Sequence, residues 1–75
     1  YILQLGSFSD ELNAKGLVEN IEQVGFEAFL EPLFSEHGTV WRVRLGPYSS
    51  RDQANQAAEN LRERIGRDGL IMRYE

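Results

Sequence analysis

Cysteine is absent from this chain of 75 residues, so no disulfide framework or thiolate metal site is available to it. That absence suits the cytosol and the periplasm alike. Lysine occurs once, at Lys15, and histidine once, at His37; with 8 basic against 12 acidic residues the formal net charge is −4. Binding to a phosphate backbone draws on clustered Lys and Arg, so this balance speaks against a nucleic-acid partner. No apolar run approaches the ~20 residues of a membrane-spanning helix, and no signal-peptide pattern opens the sequence. A chain this short makes a single domain, 1–75, that buries only ~60–65% of its unfolded surface and has no room for a deep cleft. Because Tyr1 already belongs to a strand pattern, the segment is expected to be excised from a longer protein.

What is present is a repeat. Leu3-Gln4-Leu5-Gly6-Ser7-Phe8-Ser9 returns forty residues later as Val43-Arg44-Leu45-Gly46-Pro47-Tyr48-Ser49, and the register continues through Ala14/Ala54, Glu19/Glu59 and Ile21/Leu61. Residues 1–6 alternate as a strand does, stopping at Gly6. Ser9-Asp10-Glu11 offers a helix start, Ala14, Leu17, Ile21 and Val24 form one helical stripe, and Gly25 suits its end. Phe26 to Leu33 is a second strand, with Pro32 favouring a sheet edge, and Ser35-Glu36-His37-Gly38 turns the chain into a third strand, Thr39 to Leu45. Ser50-Arg51-Asp52-Gln53 is a capping box before the stripe of Ala54, Ala57, Ala58, Leu61 and Ile65; Gly66 ends that helix, and Leu70 to Tyr74 is a fourth strand.

The order β-α-β-β-α-β implies an α+β fold of ferredoxin or RNP type: a four-stranded antiparallel sheet, in spatial order 4-1-3-2, with two helices on one face. The other face has no helix to cover it. Strand parity assigns Leu3, Leu5, Phe26, Ala28, Leu30, Val43, Leu45, Leu70 and Met72 to the helix side. Outward are Ile2 and Gln4, Phe29, Glu31 and Leu33, Val40, Arg42 and Arg44, and Ile71 and Arg73. That mixture of aliphatics, an aromatic, a Gln and three Arg has the composition of a shallow recognition surface. A plainer role exists for part of it, since Arg42 or Arg44 could simply pair with Glu31 across the hairpin.

Catalysis is not expected. His37 lies in a turn, Glu31 and Glu36 have no pocket to raise either pKa, and no nucleophile-base set, phosphate loop or metal spacing is present. No cofactor is expected. Two specific functions would use such a face. An RNA-recognition module has the same element order but presents aromatics on its central strands, where this chain has Gln4, Arg42 and Arg44. A regulatory ferredoxin-like domain would pair the open face with a second copy, burying Ile2, Val40 and Ile71.

Tyr1-Ile2-Leu3-Gln4-Leu5-Gly6-Ser7-Phe8-Ser9, then Ala14, Leu17 and Gly25-Phe26, then Trp41-Arg42-Val43-Arg44-Leu45-Gly46-Pro47-Tyr48, together resemble the sporulation-related repeat (SPOR) domain over essentially the whole chain. The resemblance implies a bacterial cell-envelope module on the periplasmic side, at the division septum, within a parent that is anchored in the inner membrane or is a lipoprotein. It implies binding to peptidoglycan, specifically to denuded glycan strands from which amidases have removed the stem peptides. Gln4, Ser7 and Arg42 take the positions of the family's binding residues. Phe29, Ile2 and Ile71 would offer apolar contacts to sugar faces, and Arg42, Arg44 and Arg73 the cationic ones. Where several family members carry a Trp two residues before the Arg, this chain has Val40; Trp41 is out of phase. Either a bulge near Thr39 turns Trp41 outward, or Trp41 is a core-edge residue. A monomer, with no membrane contact from this segment, is expected.

Overall fold

Six elements follow one another in the expected order: β1 (Ile2–Phe8), α1 (Glu11–Gln23), β2 (Ala28–Ser35), β3 (Gly38–Leu45), α2 (Arg51–Ile65) and β4 (Leu70–Met72). The computed structural model describes residues 1–74. Its strands form one antiparallel sheet in the order β2-β3-β1-β4, the arrangement that the repeat implies. Pro32 sits on β2, an edge strand, where a missing ladder N–H costs least.

Each helix begins where a short polar side chain turns back on the backbone. Asp10 Oδ1 accepts from the Leu12 N–H at 2.9 Å, and forty residues on Ser50 Oγ accepts from the Gln53 N–H at 3.2 Å. Gln53 Oε1 accepts in turn from the N–H and Oγ–H of Ser49, at 3.2 and 2.7 Å, one residue upstream of the usual capping-box partner. Glu11 and Asp52 place acid in the two first turns, where the helix dipole favours it.

Both helices lie on one side of the sheet, α1 across β1, β2 and β3 and α2 across β1 and β4. Ala14, Leu17, Ile21 and Leu61 join Leu3, Leu5, Val43 and Leu45 in a single buried cluster. The buried helix positions correspond across the repeat as Ala14/Ala54, Leu17/Ala57 and Ile21/Leu61. The buried positions of α2 are small at 54 and 57, whereas α1 adds the larger Leu17 and Ile21 to the core. Tyr48 also packs against this cluster, and burial pushes its phenol above the ordinary value of 10.0.

Two features of the register depart from simple alternation. The first is a bulge in β1. Gln4 pairs with Arg44 and Gly6 with Val43, leaving Leu5 as the extra residue. The strand then does not stop at Gly6 but runs on to Phe8, with Ser7 opposite Arg42 and Phe8 opposite Trp41. The second is the phase of β4. Ile71 pairs with Leu3 and packs against the buried cluster, so it faces the helices, whereas Leu70 pairs with Gln4 and is 63% exposed. Gly69 sets this phase: a Cβ there would stand 2.6 Å from Leu3 Cδ1 and 2.7 Å from Leu5 Cδ2, so the chain turns its bare Cα to the core and Leu70 must point away. The outward placement of Ile71, and the inward placement of Leu70 and Met72, are corrected accordingly.

Candidate binding face

On the side of the sheet without helices, the pairings set side chains in rungs. One rung crosses all four strands as Phe29, Arg44, Gln4 and Leu70; at ~4.8 Å per strand it is roughly 14 Å wide. The next runs Glu31, Arg42, Ser7, and beyond it Leu33 faces Val40. The bulge makes the second rung possible. Gln4 and Ser7 are three residues apart and would face opposite ways on a regular strand; the extra Leu5 shifts the pleat by one, and both point outward.

The polar groups of the two rungs form a continuous chain. Gln4 Nε2 donates to Ser7 Oγ at 3.4 Å, and Gln4 Oε1 accepts from Arg44 Nε at 2.9 Å. Arg44 Nη1 donates to Glu31 Oε2 at 3.0 Å, while Glu31 Oε1 lies 3.5 Å from Arg42 Nη2. Arg42 Nε also donates to the Glu31 carbonyl at 3.4 Å. The plainer cross-hairpin pairing is therefore real, and it involves both arginines. Burial separates them: the side chain of Arg44 is 8% exposed and that of Arg42 21%. Arg44 is engaged on two edges and ties three strands together. Arg42, beside the exposed Ser7, has longer contacts and more open surface.

The expected site residues divide. Gln4, Ser7, Phe29, Val40, Arg42 and Arg44 share this face. Ile2 is in phase with Gln4 but has no accessible surface, so it cannot meet a ligand directly. Trp41 lies in phase with Val43 and Leu45, opposite Phe8 and Pro32, and packs at the edge of the buried cluster. The irregularity of the sheet lies at Leu5 rather than near Thr39, so nothing rotates Trp41 outward, and it leaves the set. Ile71 leaves it through the phase of β4. Arg73 falls beyond the last strand, on a concavity of about 320 Å3 lined by Tyr1, Ser49 and Tyr74. Leu70 and Met72 join the face instead, and Glu31 lies on it as alternation places it. Parity alone places Glu31 outward, but only the distances make it the bridge between two guanidiniums; the uniformly apolar Leu70-Ile71-Met72 carries no signal of phase.

A shallow, helix-free face of this kind on a β-α-β-β-α-β sheet fits several families, and comparison decides among them. The sequence model of the SPOR domain family matches residues 1–73. The chain belongs to the SPOR domain family. It is 24% identical over 74 residues to the cell division protein DedD of Escherichia coli (strain K12), covering 99% of this chain and 34% of that one. It is 28% identical over 61 residues to the endolytic peptidoglycan transglycosylase RlpA of the same organism, covering 81% of this chain and 16% of that one. The chain thus spans at most about a third of either relative's length. The crystal structure of the RlpA SPOR domain from Pseudomonas aeruginosa has the same fold, with a TM-score of 0.82, 24% identity and 97% of both chains covered. In this SPOR domain, among the described residues, no group of three or more His, Cys, Asp or Glu side chains is placed to hold a metal.

Proposed function

We propose that this SPOR domain is a non-catalytic module that binds peptidoglycan, taking glycan strands from which the stem peptides have been removed, on the periplasmic side of the division septum. Its parent would be an envelope protein, and the domain would act as a monomer. The observation that carries this is the pairing of Ser7 with Arg42 on the open face, next to a half-buried Gln4–Arg44–Glu31 chain. Two guanidiniums against one carboxylate give the face a local excess of positive charge in a chain whose net charge is −4. A denuded strand is complementary to it. Its N-acetylmuramic acid units each carry a free lactyl carboxylate for an Arg fork, its hydroxyl and N-acetyl groups suit Gln4 and Ser7, and its apolar sugar faces suit Phe29 and Leu70. A stem peptide would convert that carboxylate into a neutral amide and stand up from a surface with no depth to receive it. The relatives, a cell division protein and an endolytic peptidoglycan transglycosylase, agree in kind.

Co-sedimentation with sacculi checks the proposal. The domain should be retained by sacculi rich in amidase-stripped strands and largely lost when those strands are digested away. Equal retention on both would defeat the specificity, and retention on neither would defeat peptidoglycan binding altogether. Single-stranded RNA in a filter-binding assay should give no retention.

A further inference from the structure

The proposed glycan contact leaves Glu31 unexplained, since an anionic ligand should prefer a face without a carboxylate. Resting on that contact, we propose that Glu31 is a built-in stand-in for the ligand's carboxylate: it occupies Arg42 in the free domain and gives it up when the ligand arrives.

Three observations support an exchange of this kind. The two halves of the Glu31 carboxylate are held unequally, Oε2 at 3.0 Å from Arg44 Nη1 and Oε1 at 3.5 Å from Arg42 Nη2. Arg44 is also bound through Nε to Gln4 at 2.9 Å, so both of its engaged edges make short bonds and its own side chain is buried. Arg42 has an anchor that does not depend on the carboxylate, the bond from Nε to the Glu31 carbonyl at 3.4 Å. Arg42 can therefore keep its place on the strand while its Nη2 changes partner. Arg44 and the Oε2 half of Glu31 remain as they are.

The exchange acts on specificity. A ligand that reaches Arg42 must compete with a carboxylate already there, and charge-assisted hydrogen bonds are roughly twice as strong as neutral ones. A lactyl carboxylate can compete on equal terms. The amide left by an attached stem peptide cannot. With the ligand in place two carboxylates face two guanidiniums, so the cluster ends neutral where it began with one net positive charge. Binding by exchange is also weak and reversible, because each new ion pair replaces an old one.

The test is the Glu31→Gln variant, which keeps the shape and removes the competing charge. Its affinity for denuded glycan fragments should rise about three- to tenfold, while affinity for a neutral N-acetylglucosamine oligomer stays within about twofold of wild type. A Glu31 that merely props up the face would instead lower both, and that result overturns the inference. Since Glu31→Gln removes a partner of the buried Arg44, the wild-type domain supplies a second reading. Free N-acetylmuramic acid should shift the Arg42 Nε–Hε resonance and leave that of Arg44 in place, and N-acetylglucosamine should shift neither. Movement of Arg44 with or instead of Arg42, or of neither while the glycan fragments bind, overturns the exchange. Failure of wild type to bind stripped glycan would instead defeat the functional proposal beneath it.

Discussion

Residues 3–9 and 43–49 begin alike and end differently. In the first copy a bulge at Leu5 carries the strand past Gly6 to Phe8, bringing Ser7 onto the open face. The second copy leaves the sheet at Gly46, whose φ of +118° suits glycine, and a Cβ there would stand 3.2 Å from the Tyr48 nitrogen and 3.3 Å from the Tyr1 carbonyl oxygen. The Tyr48 N–H then donates to that carbonyl at 2.7 Å, and the Tyr48 ring joins the core. One copy thus supplies a hydroxyl to the surface where the other supplies a ring to the interior. Between them, Gln4 and Arg44 are each other's counterparts in the repeat and also direct partners in the sheet. They meet on the approximate twofold axis of the β1–β3 pair. Two arginines there would repel; a Gln and an Arg bond at 2.9 Å. The duplication repeats what is buried, and the face is made where the copies diverge.

Substitutions that strike both copies alike should have the largest effects. Ile21 and Leu61 are equivalent and both fully buried, so Ile21→Ala and Leu61→Ala should each lower unfolding free energy by ~2–5 kcal/mol in urea titrations. In a domain of this size that is a large part of the total. Markedly unequal losses would mean that the two helices do not share one core. Gly69→Ala has no counterpart in the first half; it pushes a methyl group against Leu3 and Leu5 and should cost ~1–3 kcal/mol by the same titration.

The two arginines should separate stability from binding. Arg44→Ala strands Gln4 and Glu31 without their shared donor and should cost ~1–3 kcal/mol as well as glycan retention. Arg42→Ala removes only longer, more open contacts, so its stability loss should stay within ~0.2–1 kcal/mol while retention on stripped sacculi falls. Loss of stability in Arg42→Ala as great as in Arg44→Ala would break the distinction drawn between them. The smallest effect concerns Tyr48. Its raised pKa means that the folded chain holds the phenolic proton more tightly than the unfolded chain does. That stability is whole below pH about 10 and is lost as pH rises through the folded-state value. Tyr48→Phe should flatten the fall, as followed by circular dichroism between pH 9 and 12.

Much of this was legible in the residues. The forty-residue repeat, the paired N-caps at Asp10 and Ser50 and the corresponding buried stripes are local signals, and they suffice for element order, sheet order and the location of the core. Gln4, Phe29, Arg42 and Arg44 follow from strand parity. Ser7 does not, because a bulge is a choice of pairing that leaves no periodic trace; only the family resemblance marked it. Parity misplaced Ile71 because Leu70, Ile71 and Met72 are all apolar and the phase is set by the missing side chain of Gly69. Ile2 faces the right way but has no accessible surface, and alternation along a strand reports direction rather than exposure. Trp41 follows ordinary alternation with Val43, and its indole fluorescence should accordingly be unchanged by saturating glycan.

Backbone amide shifts on adding denuded glycan fragments test the binding face most directly. Perturbations concentrated at Gln4, Ser7, Glu31, Arg42 and Leu70, with α1 and α2 undisturbed, are the predicted result. Perturbations concentrated on the exposed surfaces of the helices, with the rungs of the open sheet unmoved, would contradict it.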